Sequence, residues 1–96
     1  MEVCTLDWHI VPMRADRFLD HWEPMAAKAP AYGAKSWSLT RSKDDPLAIR
    51  QTMTWESRSD FERYWFSDEI ASARAEIIDL YVIPLLPAWH TLLAAE

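Results

Sequence analysis

The stretch LAIRQTMTWESRSDF, residues 47–61, decides the fold of this chain. Its first nine residues alternate, with Ile49, Gln51, Met53 and Trp55 on one side and Arg50, Thr52 and Thr54 on the other. That period of two predicts a strand over 47–55 with one buried face. Ser57 is followed three residues later by Asp60, which is the spacing of a capping box with Asp in place of Glu or Gln. A helix is therefore expected directly after the strand. Every other element has to fit this strand-to-helix unit.

Upstream, residues 34–41 also alternate, with Trp37 and Leu39 against Ser36, Ser38 and Thr40. The intervening SKDDP, residues 42–46, is turn material, so the two strands form an antiparallel hairpin. Before it, residues 14–29 carry Phe18, Trp22, Met25, Ala26 and Ala29 at helical spacing. Pro24 lies within that helix and predicts a kink or a fresh start. Residues 3–11 form the first strand, setting Cys4, Leu6, Trp8 and Ile10 against Thr5, Asp7 and His9.

Downstream, the second helix should bury Phe61, Tyr64 and Trp65, break at Ser67 and Asp68, and then bury Ile70, Ala73, Ile77 and Ile78. Residues 82–87 form an irregular apolar link, and residues 88–94 a fourth strand bearing Trp89, Thr91 and Leu93 on one side. The order β-α-β-β-α-β predicts an α+β, ferredoxin-like domain over residues 1–96, with an antiparallel sheet and two helices on one face.

The opposite sheet face would carry Thr5, Asp7, His9, Ser36, Ser38, Thr40, Arg50, Thr52 and Thr54. These are mostly short and uncharged, unlike a strand face adapted to water. The expectation is a homodimer in which a second copy covers this face, sheet against sheet, as a dimeric α/β barrel.

Composition narrows the partners. The 96 residues include six Trp, are half hydrophobic, and carry a formal net charge of −5, which argues against nucleic acid or an anionic membrane. The single Cys4 can form no intramolecular disulfide, no His/Cys spacing suggests a metal site, and no Gly-rich loop suggests phosphate binding. The start of the chain lacks a basic signal region, and the apolar run 81–89 contains Pro84 and Pro87 and is too short to span a bilayer. A cytoplasmic protein is expected.

Val11-Pro12 followed by Phe18 and Trp22, and Trp55-Glu56-Ser57 followed by Phe61 and Ser67-Asp68, resemble the antibiotic-biosynthesis-monooxygenase family of the dimeric α/β-barrel superfamily. The resemblance covers nearly the whole chain and implies cofactor-independent oxidation of a small aromatic or polyketide-like phenol. In that family an Asn, a Trp, a Tyr and an Arg hold the substrate; Gln51, Trp55, Phe61 and Arg74 stand at or close to those positions. Tyr64, one turn beyond Phe61, could restore the missing hydroxyl. The resemblance thus implies Gln51, Trp55, Tyr64 and Arg74 as the catalytic set. It further implies Trp22, His21, Phe61 and Trp65 as substrate-binding residues, with no cofactor and no metal. Haem degradation, the activity of related proteins, would need an Asn, a Trp and a His where Leu6, Tyr64 and Arg74 stand, and this chain contains no Asn.

Each candidate also has a plainer reading. Trp55 suits a core position, Arg74 a solvated helix face, and His21 a solvent edge. Tyr64 and Trp65, about 100° apart on a helix, are expected to split, one on the sheet and one at the helix border. Asp7, His9 and Arg50 suit an interface network better than an acid–base cluster. Gln51 is harder to dismiss, since an unpaired amide in an apolar layer would cost about 1–3 kcal/mol and must find a partner. The competing functions are a non-catalytic homodimeric ligand-binding protein and a cyclase or isomerase.

Overall fold

The computed structural model describes residues 1–95. The chain order is β1 (Glu2–His9), α1 (Ala15–Ala26), β2 (Ser36–Arg41), β3 (Ala48–Trp55), α2 (Arg58–Trp65), α3 (Asp68–Glu76) and β4 (Ala88–Thr91). The strands pair antiparallel in the order β2-β3-β1-β4, which is the expected ferredoxin-like α+β arrangement. Leu6 lies opposite Gln51, Asp7 opposite Arg50, and Thr40 on the far side of Arg50.

The predicted inner face is the core. Cys4, Leu6, Trp8, Ile49, Gln51, Met53 and Trp55 are buried beneath Phe18, Trp22 and Ala26 of α1, Phe61, Tyr64 and Trp65 of α2, and Ile70 of α3. Rings fill most of this layer. Trp8 meets Phe18, Trp22, Trp65 and Tyr81 with centroids 4.9–6.2 Å apart. Tilted and edge-on geometries predominate, as aromatic quadrupoles prefer.

Several local expectations are corrected. Helix α1 runs through Pro24 without a fresh start. Pro24 is exposed, while Phe18, Trp22 and Ala26 anchor both flanks to the core, so packing outweighs one lost backbone bond. The second helical stretch is divided into α2 and α3 at the anticipated Ser67-Asp68. It is Ser67 that caps there, its Oγ accepting from the Ile70 N–H. Ser57 precedes α2 without a capping bond; its Oγ pairs with that of Ser59, and the Asp60 carboxylate, instead of reaching back to Ser57, accepts from Arg63 at 3.0 Å. Ile78 is exposed because α3 ends at Glu76 and the chain turns away. Strand β4 ends at Thr91, leaving Leu93 exposed beyond its pairing with β1. The β2–β3 connection takes its shape from Ser42, whose Oγ accepts from the N–H groups of Asp44 and Asp45.

Candidate functional site

Gln51 lies in the middle of β3, pointing into the aromatic layer, and is wholly buried. Its Oε1 accepts from the indole N–H of Trp22 at 2.8 Å and of Trp8 at 3.2 Å. Its Nε2 donates to the Tyr64 hydroxyl at 3.4 Å and to Met53 Sδ at 3.5 Å. The Tyr64 hydroxyl in turn donates to the Met25 carbonyl at 3.0 Å. One amide therefore ties β1, α1 and α2 to β3. The partner that the sequence demanded for Gln51 is found within the protein, and both of its carbonyl lone pairs are used.

Burial pushes the Tyr64 phenol up to about 12, the Gln51 bond and the charge of Arg74 opposing it weakly. At neutral pH Tyr64 is a neutral donor already committed to Met25. Trp55 lies 5.8 Å from Tyr64 and 6.0 Å from Phe61, centroid to centroid. Phe61 stacks on Trp65 at 5.6 Å with planes 19° apart and meets the edge of Trp89 at 5.2 Å.

Arg74 of α3 is not a solvated residue. Its guanidinium lies 4.2 Å above the Trp65 ring and 6.0 Å from Phe66, and Nη2 donates to the Trp65 carbonyl at 2.7 Å. No carboxylate pairs with it among the described residues. Desolvation lowers its pKa from the ordinary guanidinium value. Three N–H donors are buried without an acceptor, on Trp55 (Nε1), Arg74 (Nε) and Trp89 (Nε1), and all belong to groups that border α2. Buried donors are rarely left unpaired, so such a group asks for an explanation.

The fold thus gathers Gln51, Trp55, Tyr64, Trp22, Phe61, Trp65 and Arg74 around one aromatic layer. Tyr64 and Trp65 do not split as expected, for both are buried. Trp65 is covered because α3 brings Arg74 over it, a contact between separate helices that periodicity within α2 does not reveal. His21 is not gathered. It is exposed, turned away from the face of α1 that buries Trp22. Trp8 and Trp89 are the members that sequence reasoning missed. Their only signal was two further Trp on the apolar faces of β1 and β4.

Two cavities open elsewhere, at the hairpin end of the sheet. One, of about 400 Å³, is lined by Asp7, His9, Thr40, Arg41, Ser42 and Arg50 above Trp8, Ala48 and Ile49. The other, of about 260 Å³, lies among Leu19, Glu23, Leu39 and Arg41. No group of three or more His, Cys, Asp or Glu among the described residues could hold a metal ion, and no helix is long and apolar enough to cross a membrane.

The sequence matches no family model and no curated protein. Solved structures match it closely in shape. A provisionally assigned antibiotic biosynthesis monooxygenase from Nitrosomonas europaea superposes with TM-score 0.88 at 15% identity, covering 98% of this chain and 100% of that one. Another structure, described as an antibiotic biosynthesis monooxygenase, gives 0.86 at 13% identity over 98% and 100%. A further provisional assignment, from Caulobacter crescentus, gives 0.82 at 21% identity over 99% and 90%. This chain has the fold of those proteins.

Proposed function

We propose that this chain is a homodimeric, cofactor-independent monooxygenase-like protein whose substrate is a small aromatic or polyketide-like phenol. The observation that carries the reading is the trio of buried, acceptor-less N–H donors bordering α2. Two of them belong to Trp55 and Arg74, the positions that resemblance marks for substrate contact. An ionised phenol is an oxygen acceptor of the charge and flatness such donors suit, and a half-buried guanidinium without a carboxylate stabilises a developing anion strongly.

In this reading Arg74 and Trp55 touch the substrate oxygen, and Phe61 and Trp65 bound its ring. Gln51 and Tyr64, bonded to the protein itself, hold Trp22 and each other in place as positioning residues. The substrate supplies the electrons. An anthrone methylene becomes a carbonyl, one atom of O2 enters the product and the other leaves as water. The dimer is supported by the short residues of the outer sheet face and by the exposed Val82, Ile83 and Leu86 beyond α3.

Oxygen uptake with an anthrone-type phenol tests the proposal. Arg74→Gln should lower kcat about 100-fold, as loss of one oxyanion donor commonly does, and Trp55→Phe, which keeps the ring and removes the N–H, should lower it less. No uptake and no binding by the wild-type protein would end the enzyme reading. The alternative is a non-catalytic homodimer, and the fully satisfied Gln51 amide in a filled layer favours it. It predicts that Trp55→Ala costs about 3–5 kcal/mol, the range for truncating a tightly packed aromatic.

A further inference from the structure

The smaller cavity takes no part in the site above. It opens between α1 and the edge strand β2, where Leu19 and Glu23 of the helix face Leu39, Arg41 and Ile49 of the sheet. The register sets Leu39 opposite Gln51 and Arg41 opposite Ile49, so both side chains belong to the helix-facing side. Leu19 and Glu23, four residues apart, share one stripe of α1. We infer that this cavity binds the zwitterion of a small aliphatic α-amino acid.

Glu23 and Arg41 are opposite charges lining one cavity, yet neither makes an ion pair among the described residues. Their elements are fixed independently of any such bond, α1 by Phe18, Trp22 and Ala26 in the core and β2 by its ladder with β3. A lone anion would satisfy Arg41 and face Glu23, and a lone cation the reverse. A molecule with both charges satisfies the two at once, its carboxylate accepting from the guanidinium and its ammonium donating to the Glu23 carboxylate. Arg41 also borders the larger cavity, but the cation on that face, Arg50, is already committed to Asp7.

The rest of the lining is mainly aliphatic, with Leu19, Leu39 and Ile49 half-buried or buried and Thr40 on the rim. At about 260 Å³ the volume falls under the roughly 300–1,000 Å³ of pockets for drug-sized ligands, so the occupant is on the scale of one amino acid. Because the cavity lies on the helix-facing side, a second copy packed on the opposite sheet face leaves it open.

Titration of isotope-labelled protein with L-leucine, followed by amide chemical shifts, tests the site. Saturable shifts should centre on Leu19, Glu23, Leu39 and Arg41. Leucinamide lacks the carboxylate and isocaproate lacks the ammonium, and each should bind about tenfold more weakly, as loss of one charge-assisted hydrogen bond implies. Arg41→Gln and Glu23→Gln should each weaken leucine to a similar degree and leave the unfolding midpoint unchanged, since both side chains are exposed. Equal binding of either analogue, indifference of leucine to both substitutions, or no saturable shift would overturn the proposal. So would a fall in midpoint in each single variant that the double variant does not deepen, for it would show that Glu23 and Arg41 bond each other. Shifts centred on Trp55 and Arg74 would also overturn it, while supporting the interior site.

Discussion

Arg50 and Gln51 are adjacent in β3, and each places a polar group on an opposite face of the same sheet. Gln51 is wholly buried and hydrogen-bonded to three other segments. Arg50 is exposed and bonded to Asp7, directly opposite it on the neighbouring strand β1. The Arg50 pair carries full charges and short distances, yet water competes for both partners and little net stability remains. The Gln51 amide carries no charge, yet nothing replaces it if it is lost. Burial, more than the nominal strength of a bond, decides which polar group the fold depends upon.

The largest effect should come from Gln51→Leu. It leaves the Trp8 and Trp22 N–H groups buried without an acceptor, at about 1–3 kcal/mol each. A denaturation midpoint close to wild type would mean that the aromatic layer rearranges around the loss, and the contrast between the faces would fail.

An intermediate effect is expected with pH. Burial holds the Cys4 thiol and the Tyr64 phenol protonated to about 12, whereas their ordinary values are 9.0 and 10.0. The unfolded chain therefore gives up these protons first, so stability that is complete below about pH 9 is lost as pH rises toward 12. Denaturant midpoints measured across that interval should fall, and Tyr64→Phe should make the fall shallower. A flat profile would show that water reaches the inner face.

The smallest effect should come from Arg50→Gln wherever the outer sheet face stays open to water, a slight change in midpoint that disappears as salt is raised. The salt bridge holds the Asp7 carboxyl below its ordinary range, so what it contributes is present at neutral pH and fades as acid protonates Asp7. A large, salt-insensitive loss would sharpen the comparison differently, by revealing that a second copy covers the pair.

Most of the fold was legible because period-two alternation in β1, β2 and β3 separates faces without reference to any distant residue. The break at Ser67-Asp68 was legible for a similar local reason. Pro24 misled because its cost is local while Phe18, Trp22 and Ala26 repay it through tertiary contact. The candidate site was legible only in part. That Gln51 needed partners followed from its place among Ile49, Met53 and Trp55. That two of those partners are Trp8 and Trp22, 43 and 29 residues away, did not, since periodicity contains no information on which rings converge. Arg74 looked like a surface residue because the contact that buries it belongs to the packing of α3 on α2.

Two indoles sharing one amide acceptor in a dry layer also give the protein a built-in optical reporter. Trp8 and Trp22 are shielded from the solvent relaxation that reddens indole emission. Loosening of the layer around Gln51 should therefore register as a change of fluorescence colour ahead of any loss of helical dichroism.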